Sequence, residues 1–404
     1  MKNETLNTTP QSNRLHVSIF GETNSGKSAL FNAITGSANS IVSDISGTTT
    51  DPVKKSMELL PYGPIVLVDT AGLNDGTVLG KERLAKTNKV LDQTDFALYT
   101  ISPTGFDENA YIAFKEKLVK KKIPHLLVVT KEDTEEQACT GLLDRFEHAV
   151  ATSVLQPDSI KKLKFRIAKE LSSLSVEAKS LIGGLLPPES TIILVVPIDS
   201  GAPAGRLILP QVQFIRDCLD NSMICHVTTE DQLAKTIENT KKVDLVVTDS
   251  QAFPIVSEIV PQDIPLTSFS VLMARQKGDI HSFLDGVHAV NELKNNDKVL
   301  IAEVCTHNRS HEDIGHVKIP KALQKITNKN LQFSFSHGHD YPEDLEQYSL
   351  IVHCGACMVT PTEMNNRILS AKDKKVPITN YGLVLAMASG VLERSVQIII
   401  DTLE

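Results

Sequence analysis

The chain has no tryptophan and only 5% aromatic residues, yet 41% of its 404 residues are hydrophobic and its mean hydropathy is -0.07. Such values belong to ordinary globular domains and exclude a chain too polar to bury a core. No apolar run approaches the roughly 20 residues that span a bilayer. Met1 to Asn13 lack the apolar stretch of a secretory leader, so residues 1–13 are expected to form a flexible tail on a cytoplasmic protein. An excess of basic charge is missing too. With 41 Lys and Arg against 49 Asp and Glu, the net charge of -8 argues against a nucleic-acid partner. Six cysteines in that compartment are not expected to form disulfides, because cytosolic thiols stay reduced. Cys139, Cys218 and Cys225 read as buried small hydrophobes. Cys305, Cys354 and Cys357 do not, since they fall in two short clusters, Cys305-Thr306-His307 and His353-Cys354-Gly355-Ala356-Cys357.

The length allows two or three domains. In the first, the apolar strand Leu15 to Phe20 runs into Gly21-Glu22-Thr23-Asn24-Ser25-Gly26-Lys27-Ser28 and then into a helical pattern through Leu30, Phe31 and Ile34. Strand, glycine loop and helix with G-x-x-x-x-G-K-S spacing make a phosphate cradle, in which backbone amides and a helix N-terminus wrap the anion. Lys27 reaches the β and γ phosphates, and the Ser28 hydroxyl ligates Mg2+. The next buried strand, Ile65 to Val68, delivers Asp69 towards the same metal through water, and Gly72 follows to meet the γ phosphate. The polar segment Ser46 to Asp51 supplies a switch threonine to the metal, with Thr49 preferred over Thr50. Leu126 to Val129 ends in Thr130-Lys131-Glu132-Asp133, where a carboxylate can accept both hydrogen bonds of the guanine edge. The expected ligand is GTP or GDP, contacted by Asn24, Ser25, Gly26, Lys27, Ser28, Leu30, Thr130, Lys131 and Asp133. Ala151-Thr152-Ser153 is the candidate for the last guanine-contact loop.

From Arg14 to Leu171 this succession resembles the small G-proteins of the Era and tRNA-modification (TrmE-like) group. The resemblance implies a Mg-dependent GTPase over 14–173. It also implies that Asn24 helps coordinate K+ and that turnover is K+-activated. Leu73 stands where Ras-like proteins carry a water-orienting glutamine, so water positioning falls to another group, with Asp75 the candidate. Thr130 departs from the asparagine of the family's N-K-x-D motif, which bears on nucleotide affinity more than on base identity.

Ser, Gly and Pro concentrate between Ser172 and Glu189, and residues 174–190 are expected to be a linker. Strands at Thr191 to Val196, Met223 to Val227, Val243 to Thr248 and Thr267 to Leu272 then alternate with helical patterns, predicting a small parallel-sheet domain over 191–272. The alternation resumes over 273–404. There the strand ends carry Cys305 and His307, then His337 and His339, then His353, Cys354 and Cys357. Eight of the twelve histidines fall between His281 and His353. Carboxyl ends of parallel strands are where open α/β sheets bind ligands. Cys305, Cys354 and Cys357 with His307 or His353 could hold a four-ligand zinc. Three thiolates could equally hold an iron-sulfur cluster with one open iron.

The fold class is therefore α/β, a P-loop GTPase domain followed by two smaller parallel-sheet domains. The combination of a G-domain, a middle α/β domain and C-x-H followed by H-C-x-x-C resembles the maturation GTPases of FeFe-hydrogenases, the HydF family. That resemblance spans essentially the whole chain. It implies that Cys305, Cys354 and Cys357 ligate a four-iron, four-sulfur cluster ([4Fe-4S]), with His307 and His353 beside it. A histidine, a carboxylate or water fills the fourth position. His337 and His339 are not part of the motif and are read as surface residues, in preference to residues that support the ligands. It further implies a scaffold that carries a transient two-iron subcluster between radical-SAM maturases and apo-hydrogenase. Homodimerisation through the middle domain is also implied, and GTP hydrolysis would act through the switch loops around Thr49 and Gly72. A tRNA- or ribosome-associated GTPase and a regulatory GTPase with a structural zinc are the alternatives.

Overall fold

The computed structural model describes residues 11–36, 52–70, 86–175, 180–198, 207–304 and 313–402. They form two compact units, Thr9–Ala178 and Lys179–Glu404.

The first unit is a six-stranded sheet, β1 (Leu15–Gly21), β2 (Val53–Leu59), β3 (Gly63–Asp69), β4 (Phe96–Ile101), β5 (His125–Val129) and β6 (Ala149–Ala151), in the order β2-β3-β1-β4-β5-β6. Only β2 runs antiparallel, against β3. The inner strands are buried on both faces, which their near-continuous apolar sequences require. Alternate residues feed two separate cores: Val17, Ile19, Leu67 and Leu98 on one side, Phe20, Val66, Val68 and Tyr99 on the other. The edge strand β2 is mostly exposed and carries Lys54 and Lys55, charges that discourage pairing with another sheet. Helices α1 (Lys27–Thr35), α2 (Glu108–Lys120), α3 (Glu136–Arg145) and α4 (Pro157–Ser175) cover the faces. A further helical stretch covers 86–92. Asp107 caps α2 by accepting the Ala110 N–H at 3.1 Å, and Lys117 and Lys120 complement the negative end of its dipole. Because β1, β3, β4, β5 and β6 are parallel, the loops after all five open at one edge of the sheet.

The second unit contains two four-stranded, wholly parallel sheets. One has the order β10-β9-β7-β8, from β7 (Thr191–Val195), β8 (Ile224–Thr228), β9 (Leu245–Thr248) and β10 (Leu266–Ser268). The other has the order β12-β11-β13-β14, from β11 (Lys298–Glu303), β12 (Gln332–His337), β13 (Leu350–His353) and β14 (Ile378–Asn380). The helices are α5 (Leu209–Asp220), α6 (Glu230–Asn239), α7 (Phe253–Ile259), α8 (Phe269–Lys277), α9 (Ile280–His288), α10 (Ile319–Thr327), α11 (Pro361–Asp373), α12 (Tyr381–Ala388) and α13 (Leu392–Ile400). A single apolar core joins the sheets, with Leu194 and Val247 from one and Val299, Ile301 and Val352 from the other.

Two expectations are corrected. The stretch 267–272 is not one strand, because β10 stops at Ser268, whose hydroxyl accepts the Val271 N–H at 3.4 Å and opens α8. Phe269, Val271, Leu272, Met273 and Ala274 are all buried, so the sequence shows no periodicity to separate a buried helix from a strand. Residue 272 accordingly lies inside a helix. The stretch 174–190 is not an open tether either. Its first residues continue α4, and Leu181, Ile182 and Leu185 are buried in the second unit. Asp217 fastens that segment by accepting from Ser180 Oγ at 2.6 Å and from the Ile182 N–H at 2.8 Å. Among the described residues no helix is long and apolar enough to cross a membrane.

Candidate nucleotide and metal sites

The phosphate loop follows β1 directly. Gly21 takes a φ of 144°, and a Cβ there would collide with the Thr100 carbonyl; Gly26, the residue before α1, has a φ of 87°. Both conformations favour glycine. Asn24 is exposed in a left-handed conformation with a φ of 65°. Ser25 is buried, its hydroxyl 2.8 Å from Thr100 Oγ1, which anchors the loop to β4.

Lys27 is buried and its Nζ donates to the Glu22 carbonyl at 2.5 Å, so the ammonium lies folded over its own loop. Burial holds its pKa below the usual lysine range, against the pull of Asp69 and Glu22. Ser28 Oγ donates to Asp69 Oδ2 at 2.7 Å. The structure thus brings together two of the three residues expected at the metal. Asp69 Oδ1 is buried and makes no hydrogen bond, and burial raises the carboxyl's pKa although Ser28 and Lys27 oppose it. An orphaned carboxylate oxygen beside a hydroxyl fits a hydrated Mg2+. Thr49, Gly72 and Asp75 lie outside the described residues.

The base loop follows β5. Thr130 is buried, and its hydroxyl lies 3.1 Å from the Ser25 carbonyl and 3.0 Å from the Ile101 carbonyl. It ties the base loop to the phosphate loop with the single proton that a hydroxyl owns. Lys131 adopts a φ of 61°, and Lys131 and Asp133 are exposed. The 151–153 segment packs against this loop: the Thr152 N–H donates to the Val129 carbonyl at 2.8 Å and Ser159 Oγ reaches both Thr152 and Glu132. Leu30 is a correction. Its side chain has 0% exposure inside the core, so position 30 packs α1 on the sheet and offers nothing to a nucleotide.

In the second unit, β11 pairs with β13 so that Ala302 opposes His353. The Cys354 N–H donates to the Ala302 carbonyl at 2.8 Å, and the Val304 N–H donates to Cys354 Sγ at 3.4 Å. The sulfur of Cys354 therefore rests against the residue preceding Cys305. Cys305 and His307 themselves lie outside the described residues. Ala356 takes a φ of 57° within the C-x-x-C loop, and Cys354 and Cys357 are both half-buried, near enough for Cys357 to act electrostatically on Cys354. Burial, with Cys357 adding to it, lifts the Cys354 thiol to about 11, while the N–H groups of Val304 and Ala356 favour the thiolate. A half-buried sulfur that faces backbone N–H groups, as that of Cys354 does, suits thiolate ligation, which exchanges the proton for a metal.

His353 is not free to be a ligand in this arrangement. It has 0% exposure; Nε2 accepts from Arg367 Nη1 at 2.8 Å and Nδ1 donates to the Cys354 carbonyl at 2.9 Å. Both nitrogens are committed, and burial and the neighbouring guanidinium push its pKa down to about 3. His339 Nδ1 donates to Glu363 Oε1 at 2.9 Å, and Arg367 Nη2 donates to the same oxygen at 2.7 Å. Sequence reasoning missed Arg367, Glu363 and Lys277. Lys277, with 2% exposure, donates to the Val359 carbonyl at 2.8 Å just beyond the thiols. The available signal was an i, i+4 Glu363–Arg367 pair on α11, a spacing that ordinary solvated helices share.

Residues 16–131 match the family model described as 50S ribosome-binding GTPase. GTPase Der of Wolinella succinogenes is 44% identical over 90 residues, 22% of this chain and 19% of that protein. The tRNA modification GTPase MnmE of Neisseria meningitidis is 30% identical over 158 residues, 39% of this chain and 35% of that protein. The chain thus spans about a fifth to a third of the length of these curated relatives. Among solved structures, Aquifex aeolicus Era bound to GDP.AlF4- matches with 24% identity over 38% of this chain and 56% of that one, with a TM-score of 0.33. Residues 181–278 match the hydrogen maturase F dimerization domain, and 281–398 match the hydrogen maturase F tetramerization domain. These two domains, together more than half of the chain and preceded by a GTPase domain, set it apart from the G-domain relatives, and the chain belongs to the hydrogen maturase F (HydF) family.

Proposed function

We propose that the chain is a hydrogenase-maturation GTPase that binds a [4Fe-4S] cluster and carries a two-iron subcluster to apo-[FeFe]-hydrogenase. The observation that carries this reading is the Val304 N–H to Cys354 Sγ contact of 3.4 Å, which sets the approach to Cys305 against the C-x-x-C loop. Cys305, Cys354 and Cys357 are the cluster ligands, and the cluster supplies an iron with an exchangeable position. His353 positions the loop, and His307 stays a candidate for the neighbourhood of the fourth position.

In the G-domain, backbone N–H groups of Ser25 to Ser28 and the Lys27 ammonium hold the phosphates of GTP. Ser28 and Thr49 ligate Mg2+ and Asp69 orients its water. Asn24 assists K+, Gly72 senses the γ phosphate and Asp75 positions the attacking water. Asp133 selects guanine. Hydrolysis alters the switch segments around Thr49 and Gly72, and so changes contacts with radical-SAM maturases or apo-hydrogenase in the cytoplasm. Self-association runs through the domains at 181–278 and 281–398, beginning with a homodimer.

The test is anaerobic activation of apo-hydrogenase by cargo-loaded chain in K+ and GTP. Wild type should yield hydrogenase activity, whereas Cys357→Ser should yield none while hydrolysing GTP normally. Activation by Cys357→Ser at the wild-type level would overturn the reading. Equal GTP turnover in K+ and Na+ would remove the role given to Asn24.

A further inference from the structure

Apart from the thiols, the carboxyl edge of the β12-β11-β13-β14 sheet gathers a second set of ligand-type atoms. Glu303 ends β11, Asp313 precedes the π-helical turn Ile314–Lys318, and His316 lies within that turn. One ligand atom from each lies within 4.8 Å of the others. His316 Nδ1 is 3.4 Å from Asp313 Oδ1 and 3.7 Å from Glu303 Oε2, and it is buried without a hydrogen bond. A protonated imidazole paired with a carboxylate would close to about 2.7–2.9 Å. The 3.4 Å separation instead matches the edge of a coordination polyhedron, where bonds of about 2.1 Å place neighbouring ligands roughly 3.0–3.4 Å apart, and the 3.7 Å separation lies about 0.3 Å outside it.

The surroundings hold these groups in place. The Tyr381 hydroxyl donates to Glu303 Oε1 at 2.9 Å, which leaves Oε2 facing the imidazoles. The His316 N–H donates to Asp313 Oδ1 at 2.9 Å. The His316 ring stacks on Phe335 with centroids 4.2 Å apart and on His337 at 5.3 Å. Phe335 and His337 are two apart on β12 and so share a face, and His337 Nδ1 is 3.7 Å from Glu303 Oε2. A Cβ at position 315 would come against Glu303 Oε1 and the Tyr381 hydroxyl, so a side chain there would displace the groups that orient this carboxylate. Ligands with partners fixing their orientation are what a metal centre requires.

We infer that Glu303, Asp313 and His316, with His337 alongside, bind one divalent first-row transition-metal ion without a cysteine ligand. Two carboxylates balance the charge of the ion. Imidazole favours Mn2+, Fe2+, Co2+ or Zn2+ over Mg2+ and Ca2+, and the lack of a thiolate disfavours Cu+. This inference does not depend on the maturation reading.

Co2+ titration of the full-length apo chain tests it, since Co2+ held by sulfur shows intense thiolate charge-transfer bands and Co2+ held by nitrogen and oxygen shows only weaker d–d bands. The expected result is one Co2+ per chain whose d–d bands persist, without thiolate bands, when Cys354 and Cys357 are both changed to Ser, and which Zn2+ displaces. Glu303→Gln and His316→Gln should each weaken that binding at least tenfold, while His288→Gln, at an exposed histidine, should not change it. Glu303→Gln keeps the volume and the oxygen that Tyr381 bonds, so it decides the matter if His316→Gln does not fold. Co2+ bound only with thiolate bands, or d–d binding that both substitutions leave intact, would overturn the inference.

Discussion

Arg367 Nη1 donates to Nε2 of His353 across 2.8 Å, and both residues are buried. Because a guanidinium can only donate, His353 must keep its proton on Nδ1, from which it donates to the Cys354 carbonyl at 2.9 Å. One arginine on α11 therefore sets the tautomer that fixes the first turn of the C-x-x-C loop. Arg367→Met would leave His353 Nε2 and Glu363 Oε1 without this donor. The expected cost is about 3–5 kcal/mol of unfolding free energy, as for a buried pair losing one partner. Arg367→Lys should recover only part of it, because an ammonium does not reproduce the planar fork. Denaturant midpoints equal to wild type in both variants would contradict this role.

Glu363 gives the same network a pH dependence. Burial pushes its pKa up, but the bond from His339 and the charge of Arg367 more than reverse this and hold it below the ordinary 4.5. A carboxyl with a depressed folded pKa contributes stability that is present above the unfolded value and lost as pH falls through the folded one. Glu363→Gln should therefore be less stable than wild type at pH 7, and the gap should narrow as pH falls below about 4.5. Denaturation at pH 7 and at pH 3.5 checks this, and a gap that is constant or widens towards acid would refute it.

Thr130 ties the base loop to the phosphate loop with one hydroxyl, shared between the Ser25 and Ile101 carbonyls. Thr130→Val should weaken GDP binding by about threefold to tenfold, the worth of one such hydrogen bond. Thr130→Asn, with two amide protons, should strengthen it. Asp133→Asn should lower the preference for guanine over other bases. Titration with fluorescent nucleotides reads all three, and unchanged affinity in Thr130→Val would show that the tie does not serve the nucleotide.

The parts of the molecule legible in the sequence are those in which local chemistry allows one conformation. The G-x-x-x-x-G-K-S run after Leu15 to Phe20 demands a strand, a glycine turn and a helix, and β1, Gly26 and α1 are found there. The pairing of Ala302 with His353 was likewise foreshadowed by apolar runs ending at the two cysteine clusters. The remainder depends on tertiary partners. Phe269 to Ala274 is apolar apart from Ser270, so only Ser268 acting as a cap reveals that a helix begins there. Arg367 looks like any helix-face arginine until α11 brings it against His353. Glu303, Asp313 and His316 gather only because β11 and the turn at 314–318 meet, and the histidine excess between 281 and 353 was their one trace.

The central claim, an iron-sulfur site on the cysteines beside β11 and β13, is tested most directly by anaerobic reconstitution with iron and sulfide. Visible absorption and the EPR spectrum of the reduced protein would be read for wild type and Cys354→Ser. A brown wild type with a cluster signal that Cys354→Ser loses is the predicted result. A colourless wild type that holds one zinc on these cysteines would contradict the account and leave a regulatory GTPase with a structural metal in its place.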